Sequence, residues 1–278
     1  MSCINKKINS THSEISLNIF KVKKPTAVIV IVGGTGIKQT FYESFAAWLN
    51  VQDFTVITFD YSGIGQSLNG RIKNVHGNLL DWARELDTVI HFAKQTYTEQ
   101  QIILIGHSLG GQLIGFAKNA LQCNKIILVA AQSGYWGFWK GFDKIKMFLT
   151  WHLLLPILTG INGYFPVKWV SKMENLPKKA ALQWAKWCRS KHYFFAEMKN
   201  EDTFFISFHS NILSISIDDD DFAPKKAVGW LTSQFTNART TIRHIKPGDY
   251  GLWSVGHFGF FKKTGEGTGF EVLKFIRE

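Results

Sequence analysis

The chain has 278 residues, 45% of them hydrophobic and 19% charged, with a formal net charge of +11. That balance fits one large globular domain, or a domain with an inserted piece, and excludes a low-complexity chain. The charge is uneven: Tyr135 to Asn200 holds eleven Lys or Arg against three Asp or Glu, and six of the ten tryptophans. Such a segment suits nucleic acid, an anionic membrane or an acidic amphiphile, or is simply a solvated basic face over an aromatic core.

Before Pro25 there are lysines but no apolar run of a secretory leader, so no signal is expected. Ala27–Val32 then reads as a buried strand, Phe41–Leu49 as a helix and Val56–Phe59 as a strand. Leu79–Tyr97 is a long helix, with Leu79, Trp82, Ala83, Leu86, Val89, Ile90 and Ala93 at three- and four-residue steps. Ile102–Ile105 is a strand, Leu109–Leu121 a helix and Ile126–Ala130 a strand. This alternation predicts an α/β fold with a parallel sheet covered on both faces.

At Gln132 the rhythm breaks. Up to about Glu201 the pattern is helical, aromatic and basic, with turn signals at Thr159–Gly163, Pro166 and Pro177. Met147–Ile161 is apolar, but Lys146, His152 and Pro156 interrupt its neighbourhood. It falls short of the roughly 20 residues of a spanning helix, which leaves a helix lying on a membrane surface. Strand signals return at Ile212–Ile217 and Thr240–Ile245, and Phe270–Ile276 closes the chain as a helix. The expected organisation is a core in two parts, residues 1–131 and 202–278, carrying a helical insertion at 132–201.

Cys3, Cys123 and Cys188 are too few and too scattered for a disulfide framework or a zinc site, and read as reduced thiols of a cytoplasmic protein. Gly33-Gly34-Thr35-Gly36 lacks the Lys-Ser/Thr of a phosphate loop, so no nucleotide is expected there. No cofactor and no metal are expected; calcium at Asp218–Asp221 is the rival reading, but the spacing matches no calcium loop.

The chemistry concentrates at Gly106-His107-Ser108-Leu109-Gly110. A serine hydroxyl is a weak nucleophile that needs a base and a geometry presenting it to substrate. A very tight strand-to-helix turn supplies the geometry, and glycines at 106 and 110 avoid collisions with adjoining segments. The helix start beneath Ser108 aims the Leu109 N–H at a developing oxyanion.

On Val32–Gly36, Phe59–Ser67, Gly106–Gly110, Asp218–Pro224 and Gly256–Phe261, the sequence from about Val28 onward resembles the α/β-hydrolases. Within them it is most similar to the serine-hydrolase branch of predicted hydrolases, serine-aminopeptidase-like and lysophospholipase-like proteins. The resemblance implies a mostly parallel central sheet with helices on both faces and a helical cap at 132–201. It also implies the order nucleophile, acid, histidine. His257, in a Gly-flanked loop after the last strand, is then the base. His12, His76 and His91 precede the serine, His152 and His192 fall in the cap, and His209 precedes the acid. His107 would point away across the turn, and His244 sits inside a strand. In the family an aspartate commonly stands four residues before such a proline, so the resemblance implies Asp220, with Asp221 next and Asp218 or Asp219 behind. Four adjacent carboxylates require solvation or cationic partners. Thr35, or Gly36 behind it, would supply the second oxyanion N–H, although the family often has His-Gly-x where this chain has Gly33-Gly34-Thr35.

These residues imply a serine hydrolase of carboxylic esters acting through an acyl-enzyme, with a small-molecule acyl or amphiphilic substrate. Thioesterase, amidase, peptidase and acyltransferase chemistry use the same triad. A non-catalytic binding protein on the same fold, a nonspecific nucleic-acid binder and a peripheral membrane protein touching lipid through the cap are the other classes. No specific nucleic-acid partner is expected.

Overall fold

Strands whose apolar side chains alternate to both faces need cover on both sides, and the chain supplies it by alternating strand and helix. The computed structural model describes residues 2–11, 13–169, 171, 173–262 and 266–278. In chain order the elements begin with β1 (Ser2–Asn9), β2 (Glu14–Lys21), β3 (Ala27–Val32), α1 (Glu43–Val51), β4 (Phe54–Phe59) and α2 (Leu79–Thr96). There follow β5 (Ile102–His107), α3 (Leu109–Ile114), β6 (Lys125–Val129), α4 (Gly141–Leu149) and α5 (Leu155–Asn162). A short pair, β7 (Tyr164–Phe165) and β8 (Leu176–Pro177), precedes α6 (Lys178–Arg189). The chain closes with β9 (Asn211–Ile217), α7 (Lys225–Thr232), β10 (Arg239–Ile245), α8 (Gly256–Gly259) and α9 (Glu266–Arg277).

Among the described residues the main sheet has the order β1-β2-β4-β3-β5-β6-β9-β10. From β4 to β10 neighbours run parallel, whereas β1–β2 and β2–β4 are antiparallel. Alternate residues of each strand feed two cores. Val28, Val30 and Leu104 pack with Trp82 and Leu86 of α2 on one face. Ile29, Ile31 and Ile105 pack with Phe45 of α1 and Phe260 on the other. The chain moves from β3 to β4 on one side and then to β5 on the other. That reversal opens a crevice at the carboxyl ends of β3 and β5, the usual ligand position in such sheets.

Three readings change. The expected helix Leu109–Leu121 ends at Ile114, followed by a 3₁₀ turn at Lys118–Gln122. Its end is occupied: the Phe204 N–H donates to the Gly115 carbonyl at 2.8 Å, and the Phe205 ring lies where a Gly115 Cβ would be, 2.1 Å away. The β1–β2 hairpin, which extends the sheet past β4, was not foreseen. Met147–Ile161 is also no short apolar stretch, because α4 and α5 join through a wide turn at Thr150–Leu154 into one helix, Gly141–Asn162, of 22 residues. In that turn the Leu155 N–H reaches back five residues to the Thr150 carbonyl, a spacing that accommodates Pro156 just beyond it.

Candidate active site

Backbone strain appears at the end of β5. Ser108 has φ 52° and ψ −121°, a conformation an L-residue holds only when its surroundings enforce it. The Ser108 N–H donates to the Val129 carbonyl at 3.1 Å, and its own carbonyl accepts from Gly111 at 3.1 Å. A Cβ on Gly106 would lie 2.6 Å from Gly111 Cα, and one on Gly110 2.1 Å from the Val32 carbonyl oxygen. Neither glycine has positive φ, so lack of space dictates both.

The four aspartates after β9 do different work, and this answers how adjacent carboxylates coexist. Asp218, exposed, meets His244 Nε2 at 3.0 Å. Asp219 accepts from Ser254 Oγ (2.6 Å), Val255 N (2.9 Å) and Gly256 N (3.0 Å). Burial alone would raise its pKa, but these hydrogen bonds outweigh that and carry the carboxyl below its ordinary range. Asp220 is buried, with Oδ2 2.8 Å from His257 Nδ1 and Oδ1 accepting from Phe222 N and Ala223 N at 2.8 and 2.9 Å. Asp221 is exposed and offers its carbonyl to the Trp139 indole N–H at 2.8 Å. The structure thus brings Asp220, not Asp218, Asp219 or Asp221, to His257. That contact places the proton on Nδ1 and leaves Nε2 as the basic nitrogen.

His107 lies in the middle of this arrangement. Its Nε2 is 2.9 Å from the His257 carbonyl and its Nδ1 2.8 Å from the Tyr42 hydroxyl. A carbonyl only accepts, so Nε2 carries the proton and Nδ1 accepts from Tyr42. The Tyr42 oxygen in turn accepts from the Gly34 N–H at 2.9 Å. One buried chain therefore runs from the glycine loop after β3, through Tyr42 and His107, to the backbone of His257. Burial, reinforced by neighbouring His257, holds the His107 ring well below the ordinary imidazole range, so it stays neutral. Residue order alone did not reveal this role, because Tyr42 and His257 lie 65 and 150 positions from His107.

Thr35 follows Gly34 in that loop and is buried, and its Oγ1 has no hydrogen-bond partner among the described residues. A Cβ on Gly34 would sit 3.3 Å from Ser108 Cβ, so loop and elbow touch. Leu109 is buried at the start of α3. Gly36 has φ 65°, and its carbonyl accepts from Glu174 N at 2.7 Å, which ties the loop to the segment before β8. Of the other histidines, His12 lies outside the described residues, and His244 is held by Ser216 and Asp218.

Beside these residues lies a cavity of about 600 Å³, walled by Gly36, Ile37, Phe41, Met173, Phe222 and Phe258, with Lys38 and Lys262 also lining it. The Phe222 ring sits 5.5 Å from the His257 ring. The cavity can take an apolar group, with the cationic side chains of Lys38 and Lys262 at its wall.

Comparison with known proteins bears on the family and the fold. Residues 23–176 match the family model described as serine aminopeptidase, S33. A monoglyceride lipase-like protein of Schizosaccharomyces pombe is 31% identical over 112 residues, which are 40% of this chain and 29% of that relative. An esterase from Exiguobacterium antarcticum superposes with TM-score 0.62 at 16% identity, covering 99% of this chain and all of the other. A soluble variant of the Saccharomyces cerevisiae monoglyceride lipase, in complex with a substrate analogue, reaches TM-score 0.72 at 11% identity, covering 99% and 94%. At these identities the two structures establish the fold.

Proposed function

The chain belongs to the serine aminopeptidase S33 family of α/β-hydrolases, and from that premise we propose that it hydrolyses carboxylic esters through Ser108, His257 and Asp220. Ser108 Oγ attacks the ester carbonyl while its proton passes to His257 Nε2. Asp220 holds the resulting imidazolium, and the N–H groups of Leu109 and Thr35 take the oxyanion. Collapse of the tetrahedral adduct breaks the C–O bond, and the leaving alkoxide takes the proton from Nε2. Water then gives its proton to His257 and attacks the acyl-enzyme, which releases the acid and restores Ser108.

The observation that supports this most is the buried 2.8 Å pair of Asp220 and His257 in a structure that strains Ser108 into positive φ. The substrate we assign is a small acyl or amphiphilic ester, whose apolar part suits the walls at Phe41, Phe222 and Phe258. Peptide amino termini, the substrate end in the family's name, suit this cavity poorly. Lys38 and Lys262 line it, and no carboxylate does so among the described residues. Residues 132–201 act as the cap over the core parts 1–131 and 202–278. The free thiols Cys3, Cys123 and Cys188 support a cytoplasmic setting.

A fluorophosphonate probe should label the wild-type chain on Ser108, and p-nitrophenyl esters should turn over with a preference for medium acyl chains. Ser108→Ala should abolish labelling and lower kcat/KM about 10⁴-fold or more. Well-folded wild type that neither labels nor hydrolyses any ester in the series would sink the proposal.

A further inference from the structure

The helix Gly141–Asn162 departs from the usual rule that a helix on a protein surface turns its polar side outward. Only 17% of its most apolar 18-residue window is buried. One side is fastened to the protein through Trp151, Leu155 and Thr159. The opposite side presents Phe142, Ile145, Leu149, Leu153, Ile157 and Ile161 at steps of three or four residues, a single stripe along the whole helix. Phe142 is 79% exposed, Ile145 56%, Ile157 54% and Ile161 77%. Lone exposed apolar residues need no explanation, but a continuous stripe of this length marks an interaction surface.

Charge identifies the partner. Lys140, Lys144 and Lys146 lie at the start of this helix, with Asp143 the one acid among them, and a chain of net charge +11 surrounds it. Lysines beside an apolar stripe can lay their stems along it and carry the ammonium outward, the pattern of a helix in an anionic lipid interface. A nucleic-acid backbone would match the lysines and leave the stripe in water. Length alone would let 22 residues cross a bilayer. Packing forbids it: a helix fastened along one side by Trp151, Leu155 and Thr159 cannot be surrounded by lipid without tearing away from the core.

We propose that this helix docks lying flat, its outward stripe in the headgroup–acyl boundary of an anionic phospholipid surface. The docking also bears on substrate entry. The Trp139 indole, just before the helix, donates to the Asp221 carbonyl at 2.8 Å, and the next residue, Phe222, lines the cavity beside His257. The basic start of the helix is therefore tied to the rim of that cavity, and docking brings the rim to the lipid.

Sedimentation with vesicles of phosphatidylcholine containing roughly 30% phosphatidylserine tests this directly. Wild type should co-sediment, and should do so several-fold less with pure phosphatidylcholine or when salt rises from about 0.1 M to about 0.5 M. The combined change Ile145→Glu, Leu149→Glu and Leu153→Glu should reduce partitioning at least about tenfold. It should leave turnover of a water-soluble ester unchanged, so that failure to bind lipid is read separately from failure of the hydrolase assignment. A second measurement avoids charge reversal. In a Cys3→Ser background, an environment-sensitive dye on Ile157→Cys should shift to the blue when serine-lipid vesicles are added. Absent co-sedimentation, equal binding by the triple variant, or vesicle binding without a dye shift would each overturn the proposal. So would a wild-type dimer that the triple variant splits while vesicle binding persists, which would make the stripe an interface between two copies.

Discussion

Two tryptophans show how differently the two parts of this molecule are held. Trp82, on α2 under the sheet, is fully buried and its indole N–H donates to the Ser62 carbonyl at 3.1 Å. Trp187, on α6 between β6 and β9, is as deeply buried, and its N–H has no partner among the described residues. The contrast extends beyond the pair. Under the sheet, Glu85 accepts from Ser62 N and Ser13 Oγ, and Asp60 accepts from the backbone of Gln39 and Gln66. In the stretch between β6 and β9, Trp151 Nε1 and Thr159 Oγ1 also lack partners among the described residues. Hydrogen bonds prescribe both distance and angle, whereas apolar burial is non-directional. The residues around His257 are held mainly by the first kind of contact, and the buried tryptophans Trp151 and Trp187 by the second. On the core side, Thr35 Oγ1 is buried and unpartnered too, in the loop that abuts Ser108.

The largest break in this contrast should come from cutting the hydrogen-bond chain at Tyr42. Tyr42→Phe strands the Gly34 N–H and His107 Nδ1, both buried, and should cost about 1–3 kcal/mol of stability. If the chain positions the glycine loop and His257, the same change should lower kcat roughly 10- to 100-fold with little change in KM, measurable on a soluble ester. Equal loss in both parameters, or loss of stability alone, would reduce Tyr42 to packing. A sharper comparison is the tryptophan pair. Trp82→Phe removes a made hydrogen bond and leaves the Ser62 carbonyl unpaired, whereas Trp187→Phe removes an unpaired donor. Urea melts should show Trp82→Phe costing about 1–2 kcal/mol more than Trp187→Phe.

The smallest effect is silent at neutral pH. His107 is neutral in the fold, with its pKa below the ordinary 6.5, so the unfolded chain binds a proton there that the native chain refuses. Its stabilising share is complete above about pH 6.5 and drains away as pH falls below that value, by at most about 1.4 kcal/mol per pH unit. His107→Gln keeps a donor toward the His257 carbonyl and has no titrating ring. The pH dependence of its urea midpoint should be flatter than wild type between pH 6.5 and 5. Parallel curves would mean that His107 is protonated in the native state.

Strands buried on both faces were legible because nothing but an unbroken apolar run can occupy them: Ala27–Val32 is a strand at those bounds. The β1–β2 hairpin was not, since Ser2–Asn9 lies at an edge and carries Asn5, Lys6 and Lys7 among its apolar residues. The end of α3 was illegible because Phe205, far along the chain, ends it at Gly115. At the candidate site, the tight turn at Ser108 followed from glycine sterics, and the family's spacing from aspartate to Pro224 pointed to Asp220, which meets His257. The separate duties of Asp218 and Asp219, and the link through Tyr42 and His107, depend on residues that only folding brings together.

The open rims of the sheet are β1, with Lys6 and Lys7, and β10, with Arg239 and Arg243. A rim of unsatisfied backbone groups invites a second molecule to continue the ladder; Lys7 pairs with Glu14 and Arg243 with Glu271, so Lys6 and Arg239 carry the like charge that repels that guest. The protein should resist fibrous or ordered self-association best in dilute buffer and lose that colloidal protection as ions accumulate around the arginines and lysines.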